Sequence, residues 1–202
     1  MGSSTMLDFI SSMIIFAVLM LTVGRVQVNL NSTLYYNTIN YMTQNYALEL
    51  SKIVEFDFHK MGYGVTGATA KIDTADTNRI TFKYHLQNSA TERQITYRLD
   101  AGDADSENPR DSVLYRIEKI GAASAVSVPY RMGVTAFRLR YYKSNFTELS
   151  TPVDATYRDS IHSIQVHFRV ESPEPIIMPD VTQYISIFWE KLIYPRNISS
   201  IR

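Results

Sequence analysis

Four acidic side chains, Asp100, Asp103, Asp105 and Glu107, fall at close intervals around Gly102. Alternating carboxylates on a turn are the oxygen ligands that calcium takes. The spacing does not match the helix–loop–helix calcium loop, and a solvated acidic loop accounts for it better. These four are therefore a weak metal candidate, and no other metal set stands out. The four histidines, His59, His85, His162 and His167, show no ligand spacing such as His-Glu-x-x-His. His85 and His167 fall on polar faces of expected strands. No serine sits in a Gly-x-Ser-x-Gly elbow and no phosphate-binding loop is present. With no cysteine in the chain, thiol chemistry, disulfides and thiolate metal sites are excluded. The expectation is a protein that is not an enzyme and needs no cofactor.

Charge narrows the partners. Twenty basic and twenty acidic residues leave a formal net charge of zero. No basic field favours nucleic acid, and near-neutrality gives little protection against self-association. The 202 residues suffice for one helix and one domain of about 140 residues.

The elements that must position any site begin at the N-terminus. Residues 9–24, FISSMIIFAVLMLTVG, carry no charge, and Asp8 and Arg25 flank them. The run is somewhat shorter than the ~20 apolar residues of a usual membrane span. No charge occurs between Arg25 and Glu49 either, where apolar residues mix with Asn, Thr, Gln and Tyr. No proline precedes Pro109, and Gly24 is the only glycine between Gly2 and Gly62. Since proline costs ~3 kcal/mol and glycine ~1 kcal/mol inside a helix, one rod from about Thr5 to about Phe58 is expected. Such a helix would be on the order of 80 Å long and would have to protrude from a head of modest size. A secretory signal peptide fits poorly, because no basic residue precedes the run and no Ala-x-Ala-like site follows it.

Further on, Met42, Tyr46, Leu50, Ile53, Val54 and Phe58 recur at helical spacing and predict a buried stripe. Glu49, Lys52, Glu55, Asp57, His59 and Lys60 are expected on the opposite, wet face. Gly62 and Gly64 then end the helix. After Val65 the period becomes two, and clean alternation predicts antiparallel strands with one buried face. The apolar sets are Ile80, Phe82, Tyr84, Leu86; Ile95, Tyr97, Leu99; Val113, Tyr115, Ile117; Thr135, Phe137, Leu139, Tyr141; and Ile164, Val166, Phe168, Val170. A last strand is expected over residues 183–193. Loops are expected at 101–111 and 144–160, and the prolines at 173, 175 and 179 predict a stiff, extended connection. The fold class is α+β: residues 1–60 form a long helix with an apolar segment at 9–24, and residues 61–202 form an antiparallel β-rich head.

This arrangement, an apolar helix preceded by one acid and running on to pack against an antiparallel sheet, resembles the type IV pilin and pseudopilin superfamily. LELSKIVEFDFHKMGYG (48–64) is similar to the helix end of the larger minor pilins of the PilW and general-secretion J type. GVTAFRLRYYK (133–143) and HSIQVHFRVES (162–172) resemble strands of the same group. The head of the chain departs from the family pattern. Ser3 follows Gly2 where Phe or Met is usual, and the acid Asp8 is the sixth residue after Gly2 rather than a glutamate at the fifth. SSTMLDFI is nearer to the starts of some archaeal and divergent pilins, and Met1-Gly2 implies a vestigial leader or an unprocessed chain.

The resemblance implies a structural subunit of an extracellular filament, held in the cytoplasmic membrane before assembly. Its partners would be copies of itself and the assembly machinery in that membrane. Asp8, Phe9, Ile10, Ile14, Ile15, Phe16, Val18, Leu19, Leu21, Gly24 and Arg25 would make the assembly contacts. Asp8 would pair with a neighbour's N-terminal amine, and the helix would loosen at Gly24. The first alternative is a low-copy minor pilin or pseudopilin that primes or caps a filament of another subunit. The second is a single-span anchored binding or sensor module, which would want a basic cytoplasmic flank that this chain lacks. Tyr35, Tyr36, Tyr41 and Tyr46 suit helix–helix contacts better than electron transfer. Asn-x-Ser/Thr sequences at Asn145 and Asn197 are possible glycan acceptors, and the one at Asn31 lies within the helix.

Overall fold

A computed structural model describes residues 2–66, 70–86, 91–102, 106–178, 181–195 and 197–198. One helix, α1, spans Gly2–Lys60. The strands are β1 (Ile72–Ala75), β2 (Arg79–His85), β3 (Glu92–Ala101), β4 (Ser112–Ile120), β5 (Val126–Tyr142), β6 (Glu148–Leu149), β7 (Ser163–Glu171), β8 (Ile176–Met178), β9 (Val181–Gln183) and β10 (Ser186–Ile193), with a 3-10 helix at Ala155–Ser160. The fold is α+β, and the chain divides into two compact units, Met1–Tyr41 and Met42–Arg202.

In the second unit, an eight-stranded sheet runs in the order β1-β2-β3-β4-β5-β7-β10, and β6 adds to β5. All of its pairings are antiparallel. Residues 42–60 of α1 lie on its inner face. Leu50, Val54, Phe58 and Met61 are fully buried there with Ile80, Phe82, Ile95, Tyr97 and Leu114. Phe58 meets Phe82 edge-on at 5.7 Å and Tyr97 at 5.8 Å, and Tyr97 stacks on Phe137 at 6.2 Å. Burying one such side chain contributes on the order of 2 kcal/mol, so this seam is where the helix is held.

The helix stop is stitched to the sheet. Gly62 takes φ +73°, donates its N–H to the Lys83 carbonyl at 2.9 Å, and has Asn197 O within 2.7 Å of where a Cβ would sit. Only glycine fits that position.

Several expectations change: Leu86 falls beyond β2 and is 43% exposed, and in β5 Val134 rather than Thr135 is buried. The buried stripe of α1 keeps Leu50, Val54 and Phe58 as expected but adds Thr43, Ala47, Ser51 and Asp57, whereas Met42 is exposed and Ile53 only half-buried. The added residues are small or polar, so hydrophobicity alone does not select this face. Strand β4 also has the opposite phase to that expected. Leu99 faces Leu114, Tyr97 faces Arg116 and Ile95 faces Glu118. The inward side chains are therefore Leu114, Arg116 and Glu118, not Tyr115 and Ile117. Lastly, the proline-containing connection is a hairpin, with Ile176–Met178 pairing Val181–Gln183, and residues 184–185 separate β9 from β10. Pro179 lies outside the described residues.

Strand β5 is long because it serves two neighbours in succession. It pairs with β4 through residues 126–130 and again at Val134, and with β7 from Val134 onward, and the register against β4 shifts between Tyr130 and Val134. Gly133 sits at that shift with φ +70°, and an added Cβ would lie 2.1 Å from the Glu171 carbonyl oxygen. Gly133→Ala is therefore expected to destabilise the fold by about 2 kcal/mol or more, the cost of strain plus a forced backbone shift. Urea denaturation with unchanged m-value and a lower midpoint would register it; an unchanged midpoint would contradict this role for Gly133.

Candidate functional site

The first unit, taken alone, is the candidate assembly site. Phe9, Ile10, Ile14, Ile15, Phe16, Val18, Leu19 and Leu21 all have more than half of their surface exposed. At 100° per residue they point in every direction, so this is no one-sided amphipathic helix. An apolar surface closed around a helix belongs to a lipid or helix-bundle environment. Met6–Lys60 contains a stretch long and apolar enough to cross a membrane, and that stretch is wholly unburied.

The polar residues along it fit such surroundings. The hydroxyls of Ser11, Ser12, Thr22, Ser32, Thr33 and Thr38 each donate to a carbonyl three or four residues earlier, at 2.8–3.0 Å. A hydroxyl satisfied within its own helix loses little when water is removed. Asp8 is different: its exposed carboxylate has no partner among the described residues. Taking it out of water unpaired would cost several kcal/mol. Gly24 lies in continuous helix with nothing within 4 Å of an added Cβ, and Arg25 sits beside it at the rim of a shallow apolar notch formed with Met20, Leu21 and Val28.

The second unit holds a cluster that charge patterning missed. Asp57, expected on the wet face, is 2% exposed. It accepts hydrogen bonds from Arg116 Nε at 2.6 Å, Tyr97 Oη at 2.7 Å and Lys60 Nζ at 3.1 Å. Arg116 Nη1 continues to Glu118 at 3.0 Å, and Glu118 also receives Tyr84 Oη at 3.0 Å and Arg93 at 3.2 Å. Burial works against the Arg116 charge, but the hydrogen bonds and charge of Asp57 and Glu118 prevail and hold its proton tighter than usual. Burial likewise opposes ionised Glu118, yet Arg116, Tyr84 and Arg93 bring its pKa below the ordinary glutamate value. This chain of paired groups fixes helix to sheet. The inward phase of β4 supplies its Arg116 and Glu118.

The tyrosines give a pH prediction. Burial, then the Asp57 carboxylate, raises the Tyr97 pKa well above 10. Burial and Asp76 do the same to Tyr141, and burial with nearby carboxylates also raises Tyr84 and Tyr130. A proton held more tightly in the folded than the unfolded chain gives stability that is complete below pH 10 and lost as pH rises beyond it. Glu118 has the opposite sign, its contribution fading as pH falls through its lowered pKa. In an alkaline titration at 295 nm, Tyr97 and Tyr141, two of the fourteen tyrosines, should ionise only as circular dichroism reports unfolding, with Tyr84 and Tyr130 ionising later than the exposed ones. Ionisation of all tyrosines together near pH 10, with the fold intact, would contradict it.

The remaining sequence candidates separate. Asp103 and Asp105 lie outside the described residues. Asp100 is engaged by Arg98 at 2.6 Å, and the Glu107 carbonyl accepts Tyr184 Oη at 3.3 Å. Among the described residues no three His, Asp or Glu side chains converge as a metal site. Asn145 is exposed on a turn, its Oδ1 accepting the Thr147 N–H at 3.1 Å. Asn197 is half-buried before buried Ile198. No family model and no curated protein matches this chain.

Proposed function

We propose that this chain is a structural, non-catalytic subunit of an extracellular type IV pilus-like filament. The observation that carries the reading is the helix of the first unit, apolar on every side, uncharged from Phe9 to Gly24 and with its hydroxyls internally satisfied. Before assembly that surface would lie in the cytoplasmic membrane with the β-rich unit outside. On assembly, helices of neighbouring copies would replace the lipid. Van der Waals packing and hydrogen bonds from Gln27, Asn29 and Asn31 would then hold the bundle. Asp8 would pair with a neighbour's amine and set the register, and the helix would yield at Gly24.

The low-copy minor-subunit reading is supported by the similarity of residues 48–64 to the helix end of larger minor pilins. Shearing filaments from the cell surface and quantifying their proteins by mass spectrometry tests both. The major-subunit reading predicts this chain as the dominant protein. A trace amount moves the assignment to a priming or capping subunit. Recovery only in membranes, with none in filaments, would overturn the filament reading.

A further inference from the structure

We propose that the outer face of strands β5, β7 and β10 carries a binding cleft for a single carboxylate-bearing sugar unit. Arg138, His167 and Glu190 stand directly opposite one another across the three strands, and Arg140 and Gln165 form the next pair on the same face. Together these five line a cleft of about 220 Å³. Beneath them Leu139, Val166 and Phe168 are fully buried, so the floor is rigid.

The charges in the cleft are not balanced. The Arg138 guanidinium is exposed and has no hydrogen-bond or ion-pair partner among the described residues. The nearest acid to Arg140 is Glu148, at a long 3.8 Å with both groups exposed. Facing this cationic side is a carboxylate already fixed in place. Glu190 accepts Gln165 Nε2 on one oxygen and lies 3.4 Å from His167 Nδ1 on the other. Gln165 is itself oriented by Tyr142 Oη at 2.7 Å. Each Glu190 oxygen keeps a lone pair for a ligand hydroxyl. Two arginines against one glutamate leave a lining of one net positive charge, which a monoanion neutralises. A doubly charged phosphate would instead crowd Glu190.

Two further features narrow the ligand. A guanidinium fork matches a planar carboxylate in two parallel hydrogen bonds. Beside the cleft Phe188 is 63% exposed, 6.2 Å from the His167 ring and 5.9 Å from the Arg169 guanidinium. An exposed ring next to fixed hydrogen-bonding groups is a platform for the C–H face of a pyranose. The volume holds one ring, not an extended chain. The chemistry is that of a uronic acid residue, with its carboxylate on Arg138 and Arg140, hydroxyls on Glu190 and Gln165, and ring face on Phe188.

The full chain in detergent micelles, titrated with methyl glucuronide, methyl glucoside and inorganic phosphate by calorimetry and ligand-observed NMR, tests this. Saturable glucuronide binding is expected, weakened about tenfold or more by Arg138→Ala, the loss of a charge-assisted hydrogen bond. Phe188→Ala should weaken it severalfold. Because the Arg138 side chain has no partner, R138A should melt with the parent protein, separating lost binding from lost fold. Absence of saturable glucuronide binding, or equal binding by R138A, overturns the site. Equal affinity for the glucoside overturns the role of the arginines. Phosphate binding as tight as the glucuronide reduces the cleft to a plain anion site and overturns the sugar assignment.

Discussion

Asp8→Ala is expected to abolish filaments while leaving the chain fully in the membrane. The carboxylate lies at the head of an uncharged apolar helix and has no partner among the described residues. On the assembly reading it enters a low-dielectric core opposite a neighbour's amine. Removing one member of such a pair leaves the other charge buried alone, a cost of about 3–5 kcal/mol. At about 1.4 kcal/mol per factor of ten, filament yield should fall on the order of 100-fold or more. Membrane insertion should improve if anything, since an aspartate in a span is unfavourable on insertion scales. Asp8→Glu should recover part of the yield. Filament counts by electron microscopy beside membrane fractionation read both quantities. Filaments of normal number in D8A would remove Asp8 from the assembly mechanism.

The second large effect lies inside the β-rich unit. Arg116→Met leaves Asp57, 2% exposed, without its closest partner. A stability loss of about 3–5 kcal/mol is expected for a broken buried pair. For a unit of this size that corresponds to a fall in Tm of roughly 10 °C. The double variant Asp57→Leu with Arg116→Met should recover much of the loss, because it removes both desolvated charges instead of one. Arg93 and Tyr84 would remain to satisfy Glu118 in part. Thermal melts of the two single variants and the double variant decide it. A double variant as unstable as the sum of the singles would mean that Asp57 and Arg116 act independently.

Asp57 also marks where reading the sequence stopped short. The α+β class, the helix through Lys60, its stop at Gly62 and the inward phases of β2, β3, β5 and β7 follow from hydrophobic period and glycine placement alone. The inward sets of these strands are mostly apolar, and they fail only at the strand end, where Leu86 is exposed, and at the β5 register shift, where Val134 rather than Thr135 is buried. The β4 segment, VLYRIEKI, is ambiguous because both of its phases contain apolar residues. Period two favours Val113, Tyr115 and Ile117 inward, and any scheme that places charge outside agrees. The choice is reversed by a partner 59 residues away, since Arg116 turns inward to meet Asp57. No local pattern contains that information. On the helix Leu50, Val54 and Phe58 are buried as expected, and the rest of the face departs for a related reason. Thr43, Ala47 and Ser51 are buried although small or polar, which a hydrophobicity stripe does not score. The short β1 and β6 strands and the 3-10 helix at Ala155–Ser160 rest on contacts with distant segments, such as Val153 with Ala75 and Arg158 with Asp73.

The apolar helix, by contrast, was legible in full, because an uncharged run is a local property. What covers it is a matter of partners. In the filament account the residues with bare surface in one copy meet the same residues in others.

A photo-reactive amino acid at Ile15, with the cells irradiated and the chain then isolated, tests that most directly. Ile15 lies mid-run and is 61% exposed. The account predicts a ladder of adducts of the chain with itself in sheared filaments, and lipid adducts in the unassembled membrane pool. Lipid adducts alone, in every fraction, would contradict it and leave the helix as a simple membrane anchor.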